Sequence, residues 1–117
     1  MAENLDITVL ESRAILGKSF LEVLVGKFAS EAPVVIAEMV TFAGRQELEL
    51  FCDQAHLLKG IAANIGASQV AELCEKLQLA PGENNLDHVE GWLEQLPHLV
   101  EEATLSLRAF VAGLPPG

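Results

Sequence analysis

Tyrosine is absent from this 117-residue chain, tryptophan occurs once and phenylalanine five times. With half the residues apolar and Leu, Ala and Val supplying most of them, this balance disfavours a β-sandwich and favours helices. Positive charge is scarce too, with seven Lys and Arg against seventeen Asp and Glu and a net charge of −10. Phosphate backbones are bound by cations, so no nucleic-acid partner is expected. The acidic surface serves solubility or steers toward a basic patch on a protein partner. Cysteine occurs only at Cys52 and Cys74, without CxxC spacing or a framework pattern, so reduced thiols are the default. No run approaches the roughly 18 uninterrupted apolar residues of a membrane span. Met1-Ala2-Glu3-Asn4 has neither the basic start nor the apolar run of a secretory signal. A cytoplasmic protein with no membrane partner is the expectation.

What is present is helical periodicity, in a chain whose length suits one domain. Asp6 is an N-cap candidate for a short first helix with Ile7, Leu10, Ala14 and Ile15 on one side, interrupted at Gly17. From Lys18 to Gly44 a longer amphipathic run carries Phe20, Leu21, Leu24, Phe28, Val35, Ile36, Met39 and Phe42. Pro33 inside it predicts a kink or a restarted helix, with Ser30 as cap of the second part. Arg45-Gln46 is too short a connection to do anything but set the next helix, about Gln46 to Ile65, antiparallel to the last. Gly66 closes it, and Ser68 can cap a fourth segment with Val70, Leu73, Cys74 and Leu77 inward, stopped by Ala80-Pro81-Gly82. An Asn after Glu83 opens a final stretch to Ala112 with Leu86, Val89, Leu93, Leu96, Val100, Ala103, Leu107 and Phe110 inward. Pro97 predicts its division into two helices on one axis. The expected fold is an all-α antiparallel four-helix bundle with a short extra N-terminal helix over residues 1–112. Residues 113–117 are expected to form a disordered tail or linker stub.

The stretch Cys52 to Ala67, CDQAHLLKGIAANIGA, stands apart. At about 100° per residue, Leu48, Phe51, Ala55, Leu58, Ala62 and Ile65 share one stripe. His56 lies roughly 130° from the centre of that stripe and faces solvent. The residues at +4, +7 and +11 from it are Gly60, Ala63 and Ala67. Glycine in a helix interior costs about 1 kcal/mol relative to alanine, and an ordinary solvated face would carry Glu, Lys or Gln. A bare strip lets another protein's backbone approach the ring, and Lys59, within one turn, offers a cation to any anion the ring acquires.

These residues resemble the histidine-containing phosphotransfer (HPt) domains of multistep phosphorelays. The likeness runs through Ala55-His56-Leu57-Leu58-Lys59-Gly60 and Ala62-Ala63-Asn64-Ile65-Gly66-Ala67 to Cys74-Glu75-Lys76-Leu77-Gln78, and more loosely from Leu16 to Phe110. The resemblance implies a four-helix bundle with His56 phosphorylated, Lys59 beside the phosphate and Gly60 leaving room for a receiver domain. It also implies a polar group at Gln78 near the ring. The implied partners are response-regulator receiver domains and a sensor or hybrid histidine kinase. No cofactor is expected on this chain, since the receiver brings the aspartate and Mg²⁺. A monomer is expected.

The chemistry suits the residues. An exposed imidazole is mostly neutral at pH 7 and has one nitrogen lone pair free to attack phosphorus, in a transfer that depends on positioning and charge neutralisation. Leu57, Ile61 and Asn64 would form a mixed rim of docking surface. His88 and His98 read as surface or boundary residues and Trp92 as a core or boundary anchor. Three alternatives compete. Cys52, one turn before His56, could pair with it as a thiolate nucleophile. Asp53-x-x-His56 has the carboxylate-x-x-His spacing of metal bundles, although a second such motif is missing, so no metal site is expected. A non-catalytic adaptor would keep the receiver-binding face but need not keep the nucleophile.

Overall fold

Asp6 begins the first helix, α1 (Ile7–Ala14), as expected: its backbone is extended and its carboxylate accepts the Val9 N–H at 3.3 Å. In the computed structural model, which describes residues 4–116, α2 (Lys18–Gly44), α3 (Leu48–Asn64), α4 (Ser68–Leu79) and α5 (Val89–Ala112) follow. A single 3-10 turn, Leu86–His88, leads into α5. No strand occurs among the described residues. Met1, Ala2 and Glu3 of the N-terminal reading, and Gly117 of the tail, lie outside the described residues.

The four long helices form an antiparallel bundle 47 × 23 × 19 Å in extent, in which α3 and α5 each pack against α2 and α4. The core is a single apolar cluster, with Phe28, Phe51, Leu21, Met39, Leu58, Leu77, Leu96 and Leu107 among its fully buried side chains. Among the described residues, no charged or polar side chain is buried with them. Among the described residues, no helix is long and apolar enough to cross a membrane.

Neither proline restarts or divides its helix. Helix α2 runs through Pro33 and α5 through Pro97 without a restart. An interior proline costs roughly 3 kcal/mol, but each ring is exposed while its neighbours on either side are buried: Phe28, Ala32, Val35 and Ile36 around Pro33, and Leu93, Leu96 and Val100 around Pro97. Core packing of both halves outweighs the local penalty. Ser30 caps nothing and instead donates to the Lys27 carbonyl at 3.2 Å. Ser68 does not cap α4 either: it is the helix's first residue, and Ala67 occupies the cap position. Asn85 precedes the 3-10 turn without a side-chain cap bond.

Some side chains assigned inward lie outside. Ile7, Ile15, Phe20 and Leu86 are all exposed, each within the first turn or just past the end of its helix. Leu10 is the buried residue of α1. After α5, Leu114 turns back to donate its N–H to the Val111 carbonyl and rests on the core.

Candidate functional site

Helix α3 buries Phe51, Ala55, Leu58 and Ala62 between its neighbours, which turns His56 to the solvent side as the wheel predicts. The register of α4 beside it is set by the short Ile65-Gly66-Ala67 connection. Gly66 has φ +75°, its carbonyl accepts the Asp6 N–H at 2.7 Å, and Ala67 N–H reaches back to the Ala62 carbonyl at 2.8 Å. Arg13 of α1 closes the same end, donating to the Asn64 carbonyl at 3.2 Å and to its side-chain oxygen at 3.1 Å.

Two side chains of α4 meet the functional face of α3. His56 Nδ1 lies 3.4 Å from Gln78 Oε1. Because an amide oxygen only accepts, this contact requires the proton on Nδ1 and leaves the lone pair on Nε2. The main chain of Gln78 is held in turn, its carbonyl accepting the Cys52 thiol at 3.3 Å. One turn along, Lys59 Nζ bonds Glu75 Oε1 at 3.0 Å, with the two side chains 36% and 54% exposed. The Lys59–Glu75 ion pair and the Cys52 anchor are absent from the sequence reading. For the ion pair the signal is the mirrored spacing, 56 to 59 on one helix and 78 to 75 on its antiparallel neighbour, readable once the register of the two helices is known.

The Cys52 alternative finds no support. Burial, and then the negative charge of Asp53, push this thiol above its ordinary range, opposite to what a thiolate nucleophile needs. Cys74 is fully buried and its thiol is pushed up to about 12 by burial. At pH 8, alkylation followed by mass spectrometry is expected to label Cys52 slowly and Cys74 only upon unfolding; rapid labelling of Cys74 in the native protein would contradict its burial.

Around the ring, Gly60 and Ala63 are exposed, and a Cβ built on Gly60 meets nothing within 4 Å. Gly60 is therefore not a close-packing glycine between helices. Ala67 requires correction: it is fully buried in the core and is no part of the bare strip. The wheel reached it only by extending α3 past Asn64, where the helix has already ended. Of the proposed rim, Leu57 is exposed, Ile61 packs partly on the core and Asn64 is engaged by Arg13. His88 and His98 are exposed, and Trp92 is a half-buried boundary residue on which the His88 ring stacks at 5.3 Å. Among the described residues no three His, Cys, Asp or Glu converge on a possible metal position.

The fold and site define a helical bundle that carries an exposed imidazole, His56, with Gln78 beside its Nδ1 and bare ground on the adjoining turn. Residues 23–104, well over half the chain, match the Hpt domain family, and the protein belongs to it. Its fold is that of histidine-containing phosphotransfer protein B (HptB) from Pseudomonas aeruginosa PAO1. That crystal structure superposes with a TM-score of 0.85 at 19% sequence identity, over 98% of this chain and 100% of the other. A search of curated proteins finds no match.

Proposed function

We propose that this protein is a phosphocarrier of a two-component phosphorelay, in which His56 accepts a phosphoryl group from a receiver-domain aspartate or a kinase and passes it to another receiver aspartate. The observation that carries this reading is the exposed His56 ring tied at Nδ1 to Gln78, which leaves Nε2 as the nucleophile. In the loading step Nε2 attacks phosphorus in line; the Nε2–P bond forms as the P–O bond to the aspartate breaks, and the carboxylate leaves with that electron pair. The ring gains positive charge, and its Nδ1 proton stays directed at Gln78 Oε1. That charge makes the imidazole a better leaving group when the next aspartate attacks.

Lys59 neutralises the phosphoryl oxygens, while Gly60 and Ala63 admit the partner's backbone. The receiver supplies the aspartate and its Mg²⁺, so the chain itself is a carrier rather than an enzyme and needs no cofactor. The donor is a sensor or hybrid histidine kinase acting directly or through its receiver. The protein works as a cytoplasmic monomer.

The test is transfer of labelled phosphate from a phosphorylated receiver to the protein and to its His56→Gln variant. The expected result is an acid-labile, base-stable label on the wild type alone. Binding of a receiver by both proteins with labelling of neither would replace the carrier reading with the adaptor. In the same assay, Lys59→Ala is expected to slow transfer by about tenfold, on the scale of one lost charge-assisted contact, with the melting temperature nearly unchanged. A half-exposed ion pair contributes little to stability, so a large fall in melting temperature would show Lys59 to be structural.

A further inference from the structure

From His56 to Lys59 the step on α3 is three residues forward; from Gln78 to Glu75 the step on α4 is three residues back. Antiparallel helices meet in this mirrored register, so a single turn of α4 presents an acceptor to each functional side chain of α3. The two acceptors have opposite consequences. Gln78 takes the Nδ1 proton and leaves the reactive nitrogen open. Glu75 takes up the one cation within a turn of that nitrogen.

We propose that Glu75 is a positioning residue that holds Lys59 in the unphosphorylated protein and surrenders it to the phosphoryl group when His56 is loaded, thereby setting the lifetime of the phosphohistidine. This rests on His56 being the phosphoryl acceptor. The exchange is physically reasonable because the pair is half-exposed and weak, whereas a phosphoryl group carries more negative charge and three acceptor oxygens. Once released, the Glu75 carboxylate stands one turn from the phosphoryl group as a like charge. Competition for Lys59 and repulsion of the loaded state act in the same direction, toward handing the group on.

Potassium phosphoramidate loads a histidine without any receiver: the P–N bond of the reagent breaks, ammonia leaves, and the Nε2–P bond forms. The protein has three histidines, so a His88→Gln, His98→Gln background leaves His56 as the only target. Phosphohistidine half-life is then followed by ³¹P NMR, together with the side-chain signals of isotopically labelled Lys59. Glu75→Gln is expected to lengthen the half-life by about threefold and Lys59→Ala to shorten it by about threefold, the scale of a modest surface electrostatic contact. In the Lys59→Ala background, Glu75→Gln is expected to lengthen the half-life much less, since only the like-charge repulsion is then relieved. The Lys59 signal is expected to move on loading in both proteins, from the Glu75-paired position in the wild type and from that of an unpaired ammonium in Glu75→Gln.

An unchanged half-life in Glu75→Gln overturns the inference, as does a Lys59 signal indifferent to loading. An equal lengthening with Lys59 removed also overturns it, since the carboxylate would then act by repulsion alone. Failure of phosphoramidate to load His56 overturns both this inference and the phosphocarrier reading. If phosphoramidate loads His56 with the expected lifetimes but no receiver does, the relay reading falls and the role of Glu75 stands.

Discussion

Gly60→Leu is expected to leave the protein at least as stable as the wild type while slowing phosphotransfer from a receiver by about tenfold or more, the loss that follows from displacing reacting groups by an ångström or so. Stability is expected to hold because residue 60 lies in the interior of α3 on its solvent side, where leucine has the better helix propensity by up to about 1 kcal/mol. A Cβ there meets no neighbour within 4 Å, so nothing in the bundle needs to move. Transfer is expected to fall because the side chain occupies ground one turn from the ring, where the receiver must bring its aspartate. Gly60→Ala is expected to be intermediate, more stable than the wild type by up to about 1 kcal/mol and modestly slower.

The control is the donor's size. Phosphoramidate needs no docking surface, so its rate of loading His56 is expected to change far less than the receiver's. Urea denaturation measures the stability and a labelled-receiver time course the transfer. Transfer unchanged in Gly60→Leu would remove the reason given for a glycine at this position. Equal loss with both donors would place the effect on the ring rather than on docking.

The helices and most of the core were legible because apolar residues recur at helical spacing and because short connections leave antiparallel packing as the solution. His56 was legible for a related reason: it departs from the α3 stripe and is surrounded by residues that a solvated face does not select. What escaped the sequence depends on neighbours. The prolines in α2 and α5 look like breaks until the buried residues on both sides of each are counted. Ile15 lies just past the end of α1, and Phe20 stands on the outer side of α2 while the adjacent Leu21 is fully buried. Ala67 was misplaced because a wheel assumes an unbroken helix, and the chain leaves α3 at Asn64. Gln78 could be put near the ring only through family resemblance, and Glu75 not at all, since pairing across α3 and α4 depends on the length and shape of the turn that joins them.

That turn is where the largest loss of stability is expected. Gly66→Ala should destabilise the protein by about 2–4 kcal/mol, combining two costs of roughly 1–2 kcal/mol each: a left-handed backbone and a forced backbone displacement. The first arises from φ +75° at Gly66. The second arises because an added Cβ would stand 2.9 Å from the Asp6 carbonyl oxygen, with Leu10 and Val9 side chains at 3.4 and 3.5 Å. Asp6 cannot retreat freely, since its own N–H donates to the Gly66 carbonyl at 2.7 Å and its carboxylate caps α1. Gly66→Asn separates the two costs. Asparagine tolerates the left-handed region better than alanine but adds the same Cβ. Recovery of most of the loss in Asn would assign the effect to backbone conformation; equal loss in both would assign it to the contact with α1. In either case the urea midpoint is expected to fall, and the disturbance should reach the site, because the turn aligns Gln78 with His56 and Glu75 with Lys59. Wild-type stability in Gly66→Ala would mean that α1 yields without cost, and that the α3–α4 register is held by helix packing instead of by this turn.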